Sequence, residues 1–215
     1  MPKPIREMPR GRNKRTPHPV VIIVCEGAKT EPTYFEKFKK RDKPLRIEIV
    51  KGAKGTSYQA VINMAVEAKE KHVGNTETKW TVWCVSDVDA DPNTPYSQSS
   101  KNDQLSEYAK EAAVRGFNVA LSNPCFEIWF LLHFTYTTGH LQNYDAVVKK
   151  LFASEYLPGY QKNSDIFGVL ADKQDTAINH AKKLKVYHAE QGRVDYMDCS
   201  ANPYTNVWEI VESLK

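Results

Sequence analysis

The sequence predicts an α/β protein: a central, Rossmann-like parallel β-sheet flanked by helices, followed by a helical C-terminal part. Three observations carry this expectation. The run PVVIIVCEG, residues 19–27, is apolar until its closing Glu-Gly, the pattern of a strand buried on both faces. Three more strand patterns alternate with helical ones up to residue 134, as right-handed crossovers in a parallel sheet require. Residues 135–215 then show helical patterning only.

The elements follow in order. TEPTYFEKFKK opens with Thr30 as a plausible N-cap and Pro32 in the first turn, and sets Tyr34, Phe35 and Phe38 on one face. LRIEIVKG alternates Leu45, Ile47 and Ile49 with Arg46 and Glu48, a half-buried strand. From Tyr58 to Lys71, Val61, Ile62, Ala65 and Ala68 return to helical spacing. TVWCVSDVDAD is an apolar strand, and the polar residues 90–102 after it read as the longest loop. DQLSEYAKEAAVRG is a helix with Leu105, Tyr108, Ala109 and Ala112 inward, and FNVALSN is the fourth strand. That strand feeds PCFEIWFLLHF, an apolar helix opened by Pro124. YDAVVKKLFASEYL, DIFGVLAD, TAINHAKKLKVYHAEQ and NVWEIVESLK complete the chain as helices.

Composition sets outer bounds. With 215 residues, 41% of them hydrophobic, the chain can bury one full-sized core. The expected organisation is a basic arm over 1–18, an α/β core over 19–134 and a helical extension over 135–215 packed on it. No stretch approaches the roughly 18 consecutive apolar residues of a membrane span, and the N-terminus lacks a signal peptide's apolar core, so the expected location is cytoplasmic. Cys25, Cys84, Cys125 and Cys199 have no CxxC spacing, which argues against a zinc or disulfide framework. The net charge of +4 is uneven: residues 1–18 carry six Lys or Arg against Glu7, so the arm holds +5 and the remainder sums to −1. Such an arm is either a phosphate-contacting tail or a solubilising terminus.

The chemistry is expected at the strand ends, where parallel sheets bind ligands. Glu26 ends the first strand; Asp87 and Asp89 end the third, with Asp91 beyond. Residues at i and i+2 of an extended segment point the same way, so Asp87 and Asp89 can converge on a hard cation such as Mg²⁺. A single such Asp more often caps a turn, but two apolar strands both ending in acids favour a site. Gly27 lets a ligand or backbone approach closely behind Glu26. KGAKGTS, residues 51–57, lacks the Gly-Lys-Ser/Thr ending of a P-loop, though Lys54 could hold one phosphate beside the next helix. In SNPCFEIWFLLHF, Glu127 sits among apolar neighbours where an unpaired carboxylate is costly. Either it joins the site with Asn123, one turn earlier, or Asn123 is an N-cap and Glu127 pairs with a buried Arg or Lys. His133 lies on a different face from Glu127 and reads as a packed histidine.

VCEGAKTEPTYF, SDVDAD, SNPCFEIWFLLHF and ANPYTNVWEIVE together resemble the RloB family, small proteins with a TOPRIM-like core, over nearly all of residues 20–212. The resemblance implies Glu26 as general acid or base and Asp87 and Asp89 as Mg²⁺ ligands, with Glu26 alongside them at the metal and Mn²⁺ as a substitute. It implies a nuclease acting on nucleic acid, RNA (tRNA included) ahead of DNA, in abortive infection and phage defence beside an AAA-type or ABC-like ATPase. The extra acid in DVDAD leaves open whether Asp89 or Asp91 completes the site. Glu127 joins the catalytic candidates, and Lys29, Lys54, Asn123, Lys162 and the basic arm are the candidate substrate contacts. A homo-oligomer is compatible with this reading. A catalytically silent binding subunit is the main alternative. A DxD-containing glycosyltransferase would leave Glu26 without a role.

Overall fold

The computed structural model describes residues 18–39, 44–52, 57–71, 79–89, 95–162, 164–193 and 198–215, with 95–98 described by backbone alone. The arm over 1–17, Lys54 and Asp91 lie outside the described residues.

Five strands form one sheet: β1 (Val20–Cys25), β2 (Arg46–Val50), β3 (Trp80–Asp87), β4 (Asn118–Asn123) and β5 (Tyr204–Thr205). Their order is β2-β1-β3-β4-β5; the first four run parallel and β5 runs antiparallel to β4. All six residues of β1 are buried, because this strand is central and covered on both faces. Its side chains alternate: Val21, Ile23 and Cys25 enter one core layer, Val20, Ile22 and Val24 the other.

Two helices build the second layer. Helix α2 (Tyr58–Glu70) supplies Val61, Ile62 and Ala65, and α3 (Pro95–Val114) supplies Leu105, Tyr108 and Ala112. Helix α3 starts at Pro95, inside the stretch expected to be a loop. Its first turns are polar and carry no apolar stripe before Leu105, so periodicity could not reveal them.

The first layer joins α1 (Thr30–Glu36) to α4 (Glu127–Leu132), α5 (Tyr144–Ala153), α7 (Gln174–Glu190) and α8 (Val207–Leu214). Between α5 and α7 lie a short α6 (Phe167–Leu170) and a 3₁₀ turn (Ala171–Lys173). Trp129 and Leu131 of α4, Ile178 of α7 and Val211 of α8 share one apolar cluster with β1, so the C-terminal part is continuous with the core.

Two expectations need correcting here. Residues 135–215 are not purely helical, since β5 pairs Thr205 with Ser122 and Tyr204 with Asn123; a two-residue strand shows no alternation. Pro124 does not open α4, which begins at Glu127; the Asn123–Pro124 peptide is cis.

Candidate active site: carboxylates at the strand ends

Strands β1 and β3 are neighbours, with Cys25 paired to Val85, so the residues that follow each strand meet. Glu26 donates its backbone N–H to the Val85 carbonyl at 3.0 Å and accepts the Asp87 N–H on its carboxylate at 3.3 Å. Two residues on, Asp89 adopts a left-handed φ of +43°, and its N–H donates to the Pro124 carbonyl at 3.2 Å. Aspartate tolerates that conformation better than most residues, and here it bends the chain across the end of the sheet. Glu26, Asp87 and Asp89 line one cavity of about 510 Å³, together with Ser57, Tyr58, Lys101, Gln104 and Tyr108.

Two more buried acids flank this cavity. Glu31, in the first turn of α1, accepts the Gly27 N–H at 3.2 Å. A Cβ on residue 27 would lie 2.4 to 2.8 Å from the Glu31 carboxylate, so any larger residue there would displace that carboxylate from its present position. Glu127, the first residue of α4, accepts hydrogen bonds from the Thr30 hydroxyl at 3.3 Å and the Tyr160 hydroxyl at 3.0 Å. Thr30 is not an N-cap; it is the first residue of α1, and the single proton of its hydroxyl is shared between Glu127 and the nearer Lys162 carbonyl at 2.9 Å.

The acids disfavour one another's charge. Burial raises the carboxyl pKa of Glu26, Glu31, Asp87 and Asp89. Asp87 is pushed well above its ordinary value, first by burial and then by the charges of Glu31, Asp89, Glu127 and Glu26. Two cations oppose this trend: Lys101 and Lys162 act on Asp89, and Lys162 on Glu31. A divalent cation suits such a donor set, because every donor is a hard carboxylate oxygen and each ionised acid is destabilised without one. No group of three or more His, Cys, Asp or Glu side chains among the described residues is arranged to hold a metal as it stands. That leaves no ready-made three-ligand cage among the described residues, but it is compatible with a Mg²⁺ held by one or two carboxylates with water completing its shell.

Among the expected substrate contacts, Lys162 faces the acids, with its ammonium 4.4 Å from the centre of the Tyr144 ring. Lys29 is exposed just before α1 and makes no ion pair among the described residues. Asn123 is not a helix cap, and its amide is taken up within the chain. Its amide donates to the carbonyls of Cys199 and Ala201 at 2.8 and 2.9 Å and accepts from Asn202 at 3.1 Å, which uses it to hold the C-terminal segment. The ion-pair alternative for Glu127 also fails: hydroxyls satisfy it, and no Lys or Arg pairs with it among the described residues. His133 is a packed histidine, its Nδ1 2.8 Å from the Trp129 carbonyl and its pKa pushed down to about 4 by burial.

Sequence reasoning missed Glu31, Lys101, Tyr58 and Tyr160. Glu31 looks like an ordinary first-turn acid that complements a helix dipole. The one usable signal was Gly27, four residues before it, marking a close approach.

The chain matches the family described as RloB-like protein over residues 21–214. It belongs to the RloB family. The match spans both the α/β part and the C-terminal helices, so the RloB unit includes Glu26, Asp87 and Asp89 as well as Glu127 and Lys162. No curated protein and no solved structure matches the chain. No described helix is long and apolar enough to cross a membrane.

Proposed function

We propose that this RloB-family protein is a metal-dependent nuclease of TOPRIM type. The observation that carries the reading is the convergence of Glu26, Asp87 and Asp89 on one cavity at the carboxyl edge of a parallel sheet, with Glu31 and Glu127 buried beside them. Asp87 with Glu26 or Asp89 would hold Mg²⁺, or Mn²⁺ in its place. Such an ion would supply an activated water and neutralise charge on a phosphodiester. Burial makes Glu26 easier to protonate than an ordinary glutamate, which suits a group that takes up and returns a proton. Tyr160 and Thr30 fix the direction of the Glu127 carboxylate, and Lys162 meets substrate phosphate from the C-terminal part. The family resemblance supports RNA, tRNA included, over DNA as substrate, an AAA-type or ABC-like ATPase as partner, and a role in abortive infection.

A second reading, a non-cleaving subunit that binds nucleic acid or the ATPase, draws on the lack of a ready three-ligand group among the described residues. Incubation with labelled total RNA, purified tRNA and plasmid DNA, each in Mg²⁺, Mn²⁺ or EDTA, separates the two. Metal-dependent cleavage that disappears in Asp87→Asn supports the nuclease. Binding without cleavage under every condition supports the silent subunit.

A further inference from the structure

The cavity is acidic along the sheet edge, and on its helical wall α3 places Lys101, the one cation among the described lining residues, alongside Glu107 and Glu111. Lys101, on α3, is half-buried there, with its ammonium 4.8 Å from the centre of the Tyr58 ring. Tyr58 begins α2 and stacks on Tyr108, with centroids 4.6 Å apart and planes at 10°. Its hydroxyl donates to the Asp87 backbone carbonyl at 3.2 Å. One ring thus ties the lysine to the strand end that carries the acids.

How Lys101 is held bears on what it can bind. Among the described residues no carboxylate lies within ion-pair distance of it; burial lowers its pKa, against the opposing pull of the nearby Asp89 and Glu26. An ammonium seated over a ring keeps N–H donors on its far side for an anion, whereas one paired to a carboxylate has its charge already matched. An anionic substrate entering beside these acids meets repulsion from the sheet edge, and Lys101 on the helical wall supplies an attraction that opposes it. Lys162 approaches the same Asp89 from the C-terminal part, so two lysines on different elements act on one strand end.

We infer that Lys101 is a substrate-binding residue that holds a non-bridging oxygen of the phosphodiester facing the carboxylates, with Tyr58 as its positioning residue. The inference rests on the nuclease reading for the identity of the phosphodiester. It adds the group that orients it and the ring that aims that group.

Binding, not cleavage, provides the test. Fluorescence anisotropy of a labelled single-stranded 12-mer, as RNA and as DNA, is measured in Ca²⁺ and in EDTA across a range of salt. Melting temperatures are recorded on the same samples. Lys101→Met, which keeps the aliphatic stem, is expected to weaken binding about 10- to 100-fold, the scale of one charged hydrogen bond. The salt slope should become shallower by about 0.7, as for one lost phosphate contact on a single strand. Lys101→Arg should restore affinity to within a few-fold. Tyr58→Leu, which removes the ring, should fall to the level of Lys101→Met, while Tyr58→Phe, which keeps the ring but loses its bond to the Asp87 carbonyl, should fall between that level and the unsubstituted protein. Intact binding by Lys101→Met overturns the inference and leaves the nuclease reading standing. Failure of the unsubstituted protein to bind either strand or purified tRNA in the same assay overturns both. A loss of binding that arginine does not restore, accompanied by a lower melting temperature, shows a packing role and overturns the inference alone.

Discussion

At the carboxyl edge of the sheet, β1 and β3 end in carboxylates that repel one another, whereas β4 ends in amides and hydroxyls that satisfy one another. Asn206 shows the second design: it accepts from the Leu121 N–H at 2.7 Å and donates to the Val119 carbonyl at 2.9 Å. The Ser122 and Thr205 hydroxyls meet at 2.9 Å, and Asn202 bonds both backbone groups of Leu141, at 2.8 and 2.9 Å. This seam is closed, and a closed polar network needs nothing from outside the chain. The acids of β1 and β3 carry raised pKa values and little compensation. One set of buried polar residues therefore fixes where the C-terminal segment lies, and the other stays open to a ligand.

Replacing one member of each set should break the comparison in opposite directions, and the largest effect is expected at Asp87. Asp87→Asn keeps the shape and removes a charge that burial and its neighbours disfavour. Metal-free melting temperature should hold or rise, while metal-dependent cleavage should fall by about 10³-fold or more, the upper scale for losing one group aimed at developing charge. Full cleavage at moderate Mg²⁺ would remove Asp87 from the site. At the seam, Asn206→Ala leaves a buried N–H and a buried carbonyl without their partner and should cost about 2 to 4 kcal/mol. Denaturant unfolding measures that loss. The folded fraction should still cleave with the metal requirement of the unsubstituted protein, and a shifted requirement would mean that seam and site are coupled.

The same contrast governs what the sequence revealed. Strands β1 and β3 were legible because a strand buried on both faces is apolar at every position, and the acids ending them stood out against that background. The seam was not, because the partners of Asn123 lie 76 to 79 residues away and no local pattern announces them. Glu31 is indistinguishable in sequence from a dipole-complementing acid until Gly27 is seen to admit its carboxylate. Lys101 sits in SSKND, a polar stretch that reads as loop, so its place opposite the acids depends on α3 beginning at Pro95. Local periodicity reports burial well; it is silent about which polar groups meet across the fold.

A smaller effect, read through pH, sharpens the distinction between open and closed clusters. Glu26, Glu31, Asp87 and Asp89 bind protons more tightly in the metal-free folded state than in the unfolded chain. Stability from these groups therefore falls as pH rises from the ordinary carboxylate range through their raised values. His133 and His188 act oppositely, since burial lowers their pKa and their contribution is lost as pH falls below the usual imidazole range. The histidine effect is common to metal-free and metal-loaded protein, so the difference between those two melting temperatures isolates the acids. That difference, in Mg²⁺ or Mn²⁺ against EDTA, should grow with rising pH, and calorimetry in two buffers should register proton release on metal binding. A difference independent of pH would place the cation away from these carboxylates.

The smallest change in stability is expected at Glu127, where a structural charge and a site residue would respond differently. A carboxylate balanced by a buried Lys or Arg would, on conversion to Gln, strand that cation at a cost of about 3 to 5 kcal/mol. The structure provides no such cation among the described residues, only the hydroxyls of Thr30 and Tyr160, and both can still donate, more weakly, to an amide oxygen. Glu127→Gln should therefore leave unfolding free energy within about 1 kcal/mol of the original, the scale of one neutral hydrogen bond. The lost charge also relieves Glu31 and Asp87, both of which feel it. If Glu127 belongs to the open cluster, the Mg²⁺ concentration for half-maximal cleavage should rise in this variant while the melting temperature stays level. Tyr160→Phe, which removes one of the two hydroxyls, should give a weaker version of the same shift. A marked drop in melting temperature with an unchanged metal requirement would move Glu127 to the side of the seam.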